Sequence, residues 1–310
     1  GDPGLIKHMC HDIEDPTFDA TAAATNPRMV MRPIHRPPRI NEEGGNGKGR
    51  FPVCRWQVYI SEEAQPYEYH PNLQRIAGTQ LAAIELVQPR ELREEGGWDD
   101  YSHPLDTLCQ FEDFSQRALS LLAQESAVQA LLLSHSYTLS QTSNYGDEVG
   151  RRFAERAWVG HAALAVERMQ NNLDLAGDDI ETLAKIIQLH PHFQPRSYTD
   201  IAVEITGANT LRLSINDCPA LHENIAHSWF TQLTEAPHPA LDALVAQVNP
   251  RARCHPVAPD ADARFAWDVI IDASNEPAET PVELAIARTS SGVKFQLERR
   301  RLPVGVIARG

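Results

Sequence analysis

The chain has 310 residues, 42% of them hydrophobic and 23% charged, with a net charge of −14. That balance excludes wholesale disorder, and the excess of 42 acidic over 28 basic residues disfavours binding to phosphate backbones or anionic lipid, so neither nucleic acid nor membrane is an expected partner. A chain of this length suggests about two domains of ~150 residues each and can bury a sizeable core.

The five cysteines, Cys10, Cys54, Cys109, Cys218 and Cys254, are odd in number, far apart and without a CxxC pair. Free thiols in a reducing cytoplasm are the plain expectation. No hydrophobic signal core opens the chain, and residues 1–8 ahead of Met9 read as an expression remnant. The most apolar stretch, Ala118 to Leu133, is interrupted by Gln124, Glu125, Ser126 and Gln129, too short and polar to span a bilayer.

Residues 9–50 read as an extended arm, with Pro16, Pro27, Pro33, Pro37 and Pro38 followed by the glycine-rich run Glu42 to Gly49. Arg28, Arg32, Arg36 and Arg39 make this arm basic, as Arg299, Arg300, Arg301 and Arg309 do the C-terminus. Such ends are either solvated tails or arms lying on an acidic surface of the same or a neighbouring subunit, the latter implying a homo-oligomer. From Phe51 to Ile60 β-formers predict a strand, and Asn72 to Val87 a short helix. Glu91 to Pro104 is a charged loop carrying Trp98 and Tyr101.

Three helices follow, over Asp113–Ser134, Asp147–Leu173 and Ile180–His190, the last capped by Gly177-Asp178-Asp179 and stopped by Pro191. After Pro195 the period changes to two. Asp200 to Ile215 reads as a hairpin about Gly207-Ala208-Asn209. Helices over 220–234 and 240–248 and strands over 251–257, 266–272, 282–288 and 293–299 complete the pattern, the last pair as a hairpin about Ser290-Ser291-Gly292. No internal repeat is apparent. The fold class is α+β: a mainly helical domain over 51–195, then a smaller mixed domain over 196–310 with a mainly antiparallel sheet and two helices.

Chemistry is expected where ionisable groups fall among apolar ones. His161, in the run AWVGHAALAV, sits on a helix that is apolar on nearly every side, where an unpartnered imidazole costs on the order of 1–3 kcal/mol. It is either a core histidine bonded to a carbonyl or an acid, base or ligand in a pocket between helices. Glu125 and His135 on the preceding helix are its candidate partners, as an acid–base pair or as ligands of a metal. His190 and His192 bracket Pro191, which could hold both rings on one side as metal ligands; the other reading is a helix C-cap histidine that satisfies the dipole plus a surface one. Asp217 and Cys218 lie at a strand-to-helix junction, where a helix N-terminus could activate the thiol or Asp217 simply cap the helix. HENIAH, His222 to His227, mimics a zincin motif, but spacing of five turns the second histidine away. Glu223 and His227 would pair along the helix instead. Cys254 and His255 would point to opposite faces of a strand. No GxGxxG, GxxxxGK[ST] or GxSxG motif occurs.

The function these residues suggest is an enzyme or sensor acting on a small, largely apolar molecule between buried helices. A transition metal or haem is the cofactor class such a pocket would take. The alternative is a non-catalytic assembly protein, homo-oligomeric through its Pro/Arg-rich arm.

Overall fold

The computed structural model describes residues 3–37, 54–63, 71–88, 96–99, 110–260 and 262–288. The glycine run at 42–49, Tyr101, Cys109, the strand expected over 293–299, the turn at 290–292 and the basic C-terminus lie outside the described residues. The fold is α+β, with helices and two antiparallel sheets of two and four strands. The chain forms two compact units, one of residues 1–83, 129–153 and 223–228, the other of 84–128, 154–222 and 229–310. The boundary expected at residue 195 therefore falls inside the second unit.

The first unit opens with helix, not with an extended arm. α1 (Pro3–Lys7) runs through a π-helical turn (His8–Ile13) into α2 (Glu14–Thr25). Pro16 does not end the helix; it stands just after the π-helical turn, where the regular i→i−4 ladder is already interrupted. Ala20 and Ala22 to Ala24 favour helix beyond it. Extended backbone begins only after Asn26-Pro27, as β1 (Met29–His35), which pairs antiparallel with β2 (Arg55–Ile60). The arginines of this segment face acids of their own chain. Arg32 donates to Asp19 at 2.7 Å, Arg36 forks onto both oxygens of Asp15 while lying over the Trp56 ring, and Arg28 is 3.9 Å from Glu62.

α3 (Pro71–Ala77) and a 3-10 turn at Leu81–Ala83 take the place of the longer helix expected over 72–87. α4 (Gln116–Tyr145) and α5 (Asp147–Asn172) each run through both units. Within the first unit α2 and α4 meet through buried hydroxyls. Thr17 donates to the Ile13 carbonyl at 2.7 Å, so the Ser140 hydroxyl, 2.9 Å away, donates to Thr17; Thr21 and Ser136 repeat the arrangement one turn on.

In the second unit the Trp98 and Phe114 segments bridge, Trp98 N–H donating to Asp113 and Ser115 N–H to Trp98. Gly97 makes this approach possible: its φ is +83°, and a Cβ there would lie 2.6 Å from the Phe114 backbone. α6 (Ile180–Leu189) begins as expected, Asp179 accepting the Thr182 N–H at 2.7 Å, and buries Ile180, Leu183, Ala184, Ile186 and Ile187. β3 (Ile201–Gly207) and β4 (Thr210–Asn216) form the expected hairpin. α7 (Pro239–Val248) then leads to β5 (Ala252–Pro256) and β6 (Ala263–Ile271).

The sheet order is β3-β4-β6-β5, so helix–strand–strand occurs twice and each half supplies one central strand. α6 packs on β3 and α7 on β5. This repeat is one of topology, invisible as sequence similarity. One face of the sheet buries Leu211, Leu213, Trp267 and Val269. On the other, the register aligns Glu204, Arg212 and Asp268 in one row of alternating sign with His255 next to Asp268, Arg212 forking onto Asp268 at 2.7 and 3.1 Å.

Two expected elements differ. Residues 220–234 hold only short 3-10 turns (Pro219–His222 and Phe230–Gln232), because Glu223 turns in to accept the Gln80 and Leu81 N–H groups and His227 takes a left-handed φ of +68°. Residues 282–288, whose apolar alternation reads as a strand, form α8 (Val282–Ala287). Leu284 is buried with Ala163, Leu164 and Ala243, and Glu283 and Arg288 pair with Arg156 and Glu167 of α5. Tertiary contact decides that segment, not periodicity.

Candidate functional site

The second unit concentrates its buried polar chemistry where α6 ends. Pro191 stops the helix and turns the chain through a 3-10 turn (Pro191–Phe193), which places His190 and His192 in edge contact, ring centroids 4.8 Å apart. Trp158 of α5 meets His192 at 4.8 Å, and Trp229 meets it at 5.0 Å, both nearly perpendicular. His238, the N-cap of α7, lies 6.2 Å from Trp229. Phe193, Phe230 and Tyr198 continue the aromatic wall. His190, His192, Trp229 and His238 are each more than nine-tenths buried.

Two hydrogen bonds fix the tautomers. At 190–191 and 238–239 a His-Pro dipeptide stands at a helix or turn start with its imidazole Nδ1 accepting an amide two residues on: His192 N–H to His190 at 3.2 Å, and Ala240 N–H to His238 at 3.1 Å. An Nδ1 that accepts leaves the proton on Nε2. His190 Nε2–H donates it to the Ala162 carbonyl at 3.1 Å. Among the described residues, His238 Nε2–H is buried with no acceptor, and so is the Trp229 indole N–H; His192 Nδ1 is likewise buried and unpartnered. Unanswered buried donors are uncommon, and here two stand on neighbouring rings.

Burial depresses all three imidazoles. His190 and His238 fall to about 4, the Ala162 hydrogen bond offsetting only part of the effect at His190. His192 falls well below the ordinary histidine range through burial, and through the positive charge that His190, His161 and His238 would each set against its own. At neutral pH the cluster is uncharged.

Comparison with known protein families, characterised proteins and solved structures finds no match. The site is therefore read from its own geometry.

Of the residues expected from sequence, His190, His192 and His161 gather at this cluster. His161 is not buried as its apolar helix suggests. It lies at an exposed position of α5, though surrounding protein and the Arg168 charge hold its pKa below normal. Glu125 is exposed on α4 rather than enclosed among apolar neighbours. His135 is fully buried, but in the first unit, its pKa lowered to about 4 by burial with the Glu223 charge acting in the opposite sense, and its Nδ1 unpartnered. Asp217 is exposed and bonds His222 at 2.8 Å. Cys218 is buried, and burial pushes its thiol up despite bonds from the Asp200, Leu221 and Ala220 amides, which keeps the proton on sulfur. Glu223 and His227 do not pair along a helix; His227 bonds Asp147 at 2.8 Å.

Among the described residues no three or more His, Cys, Asp or Glu side chains are placed to hold a metal ion. The reading of His190 and His192 as a metal pair also meets the hydrogen bonds that occupy both ring nitrogens of His190. Cys254 is buried and His255 exposed, on opposite faces of β5 as expected. Sequence reasoning missed Trp158, Trp229 and His238. The dipeptide His238-Pro239 repeats the pattern at 190–191, but His-Pro also occurs at 70–71, 103–104 and 255–256, so the sequence does not single it out.

Proposed function

We propose that this chain binds a small, largely apolar molecule that presents a hydrogen-bond acceptor to the Trp229 and His238 N–H groups. The observation that supports this reading is the pair of buried donors without acceptors on rings 6.2 Å apart. A buried unanswered donor costs about 1–3 kcal/mol, so two side by side are costly unless something fills them. Trp158, His192 and Phe193 supply the aromatic contact that such a molecule's apolar body needs. Binding is favoured over acid–base chemistry because imidazoles near 4 are weak bases at neutral pH, far from the working range of a general base.

Benzoate is the test probe, since it carries a carboxylate acceptor on an aromatic body. The Trp229 indole proton, assigned by its loss in Trp229→Phe, is followed by NMR as benzoate is added, with toluene as the acceptor-free comparison. The expected result is a saturable downfield shift with benzoate only. No shift with benzoate, together with an indole proton exchanging with a bound water, would overturn the reading.

A further inference from the structure

We infer that the chain associates with a second copy of itself through the open edge of β2, the two strands pairing antiparallel about Tyr59. The β1–β2 ribbon has two strands only, with α2 packed on β1 and Phe18 over Trp56, which leaves the β2 edge open. Its two edges are not equivalent. Ser61 N–H donates to the Arg28 carbonyl at 3.3 Å, so in the alternation of a strand Tyr59, Gln57 and Arg55 direct their amides toward β1, and Ile60, Val58 and Trp56 direct theirs outward. On β1 the outward set is Met29, Met31 and Pro33. Pro33 has no N–H, and a register shift follows it, so that edge is blunted in the way natural sheets avoid pairing. The β2 edge keeps all three outward amides, and among the described residues no strand pairs with it.

The exposed apolar groups fall on the same strand. Val58 is 54%, Tyr59 42% and Ile60 60% exposed, while Trp56 on the Val58 face is covered by Phe18. A two-fold axis normal to a sheet keeps each face on its own side, so it must pass through a residue rather than between two. Placed at Tyr59, it sets Val58 of each copy against Ile60 of the other, with outward amides meeting outward carbonyls. The same register carries Arg55 of each copy toward the acidic turn at Ser61–Glu63 of the other. The strand is self-complementary in charge, with its cation at one end and Glu62 and Glu63 at the other. A second copy therefore fits this edge, and pairing builds a four-stranded sheet in the order β1-β2-β2-β1.

The full chain is examined by sedimentation across the micromolar range. A dimer is expected, weakened several-fold by high salt because the Arg55–Glu63 contacts are exposed. Val58→Pro removes an outward amide without touching a β1–β2 bond, and is expected to weaken association at least tenfold with an unchanged circular dichroism spectrum. Arg55→Glu is expected to weaken it too, and Arg55→Glu with Glu63→Arg to restore it, a rescue that partial unfolding cannot mimic. Tyr59→Cys under oxidised glutathione is expected to give an interchain disulfide between the two introduced thiols, located by peptide mass. A monomer throughout overturns the inference, as does a dimer that survives the proline variant or a charge swap without rescue.

Discussion

Lowering the pH from 7.5 to 5.5 should destabilise the second unit through its neutral histidines. An unfolded histidine titrates near 6.5, whereas His190 and His238 titrate near 4 in the fold. At pH 5.5 the unfolded form is about ten-elevenths protonated and the folded form almost unprotonated, so the unfolded state binds the extra proton. Stability therefore rises with pH through this window, is fully present above about 6.5, and is lost progressively toward 4. Each of the two groups removes about 1.4 kcal/mol at pH 5.5 relative to neutral pH, so the pair removes roughly 3 kcal/mol, and His192 shifts in the same direction. Against a total stability of about 5–15 kcal/mol this is large. Urea unfolding at pH 7.5, 6.5 and 5.5, followed by tryptophan fluorescence, measures it. Asp242 contributes with opposite sign, because burial raises its carboxyl, but it is common to wild type and variant. The decisive comparison is His238→Asn, whose side-chain oxygen can still cap the Ala240 amide. The pH-dependent loss should shrink by about 1.4 kcal/mol in that variant. An unchanged pH dependence in His238→Asn would show that His238 is not buried neutral and would refute the reasoning.

In the first unit, Thr17→Val should cost about 1–3 kcal/mol by leaving the Ser140 hydroxyl buried without its acceptor, and adding Ser140→Ala should recover part of that loss; chemical denaturation of the single and double variants checks it. Gly160→Ala should loosen α8, since a Cβ there would lie 3.0 Å from the Glu283 carbonyl oxygen; a loss of about 1–2 kcal/mol and faster amide exchange over 282–287 are expected.

The elements with strong local signals were legible in the sequence. Asp179 with its capping acid and Pro191 as a stop delimit α6, and Gly207 to Asn209 places the β3–β4 turn. Patterns that depend on a neighbour misled. The Val282-Glu283-Leu284 alternation suits a strand, and only the close approach at Gly160 and the Arg156 and Glu167 ion pairs make it helix. Pro16 and Pro27 look equivalent as letters, yet one stands just after a π-helical turn within continuous helix and the other beyond the end of α2.

The same division holds for the candidate site. By itself the sequence determined that histidines accumulate around a His-Pro stop after an amphipathic helix, and that the body of the chain is acidic. Which imidazoles share a wall with Trp158 and Trp229, and which nitrogen is left without a partner, was decided by tertiary structure alone. The physical reason is that helix periodicity and capping act over three or four residues, while a hydrogen bond from His190 to Ala162 closes a loop of 28 residues that no local pattern encodes. Glu125 and His161 show the converse: an apolar run marks a helix as packed, but only the packed structure says which side of it meets water.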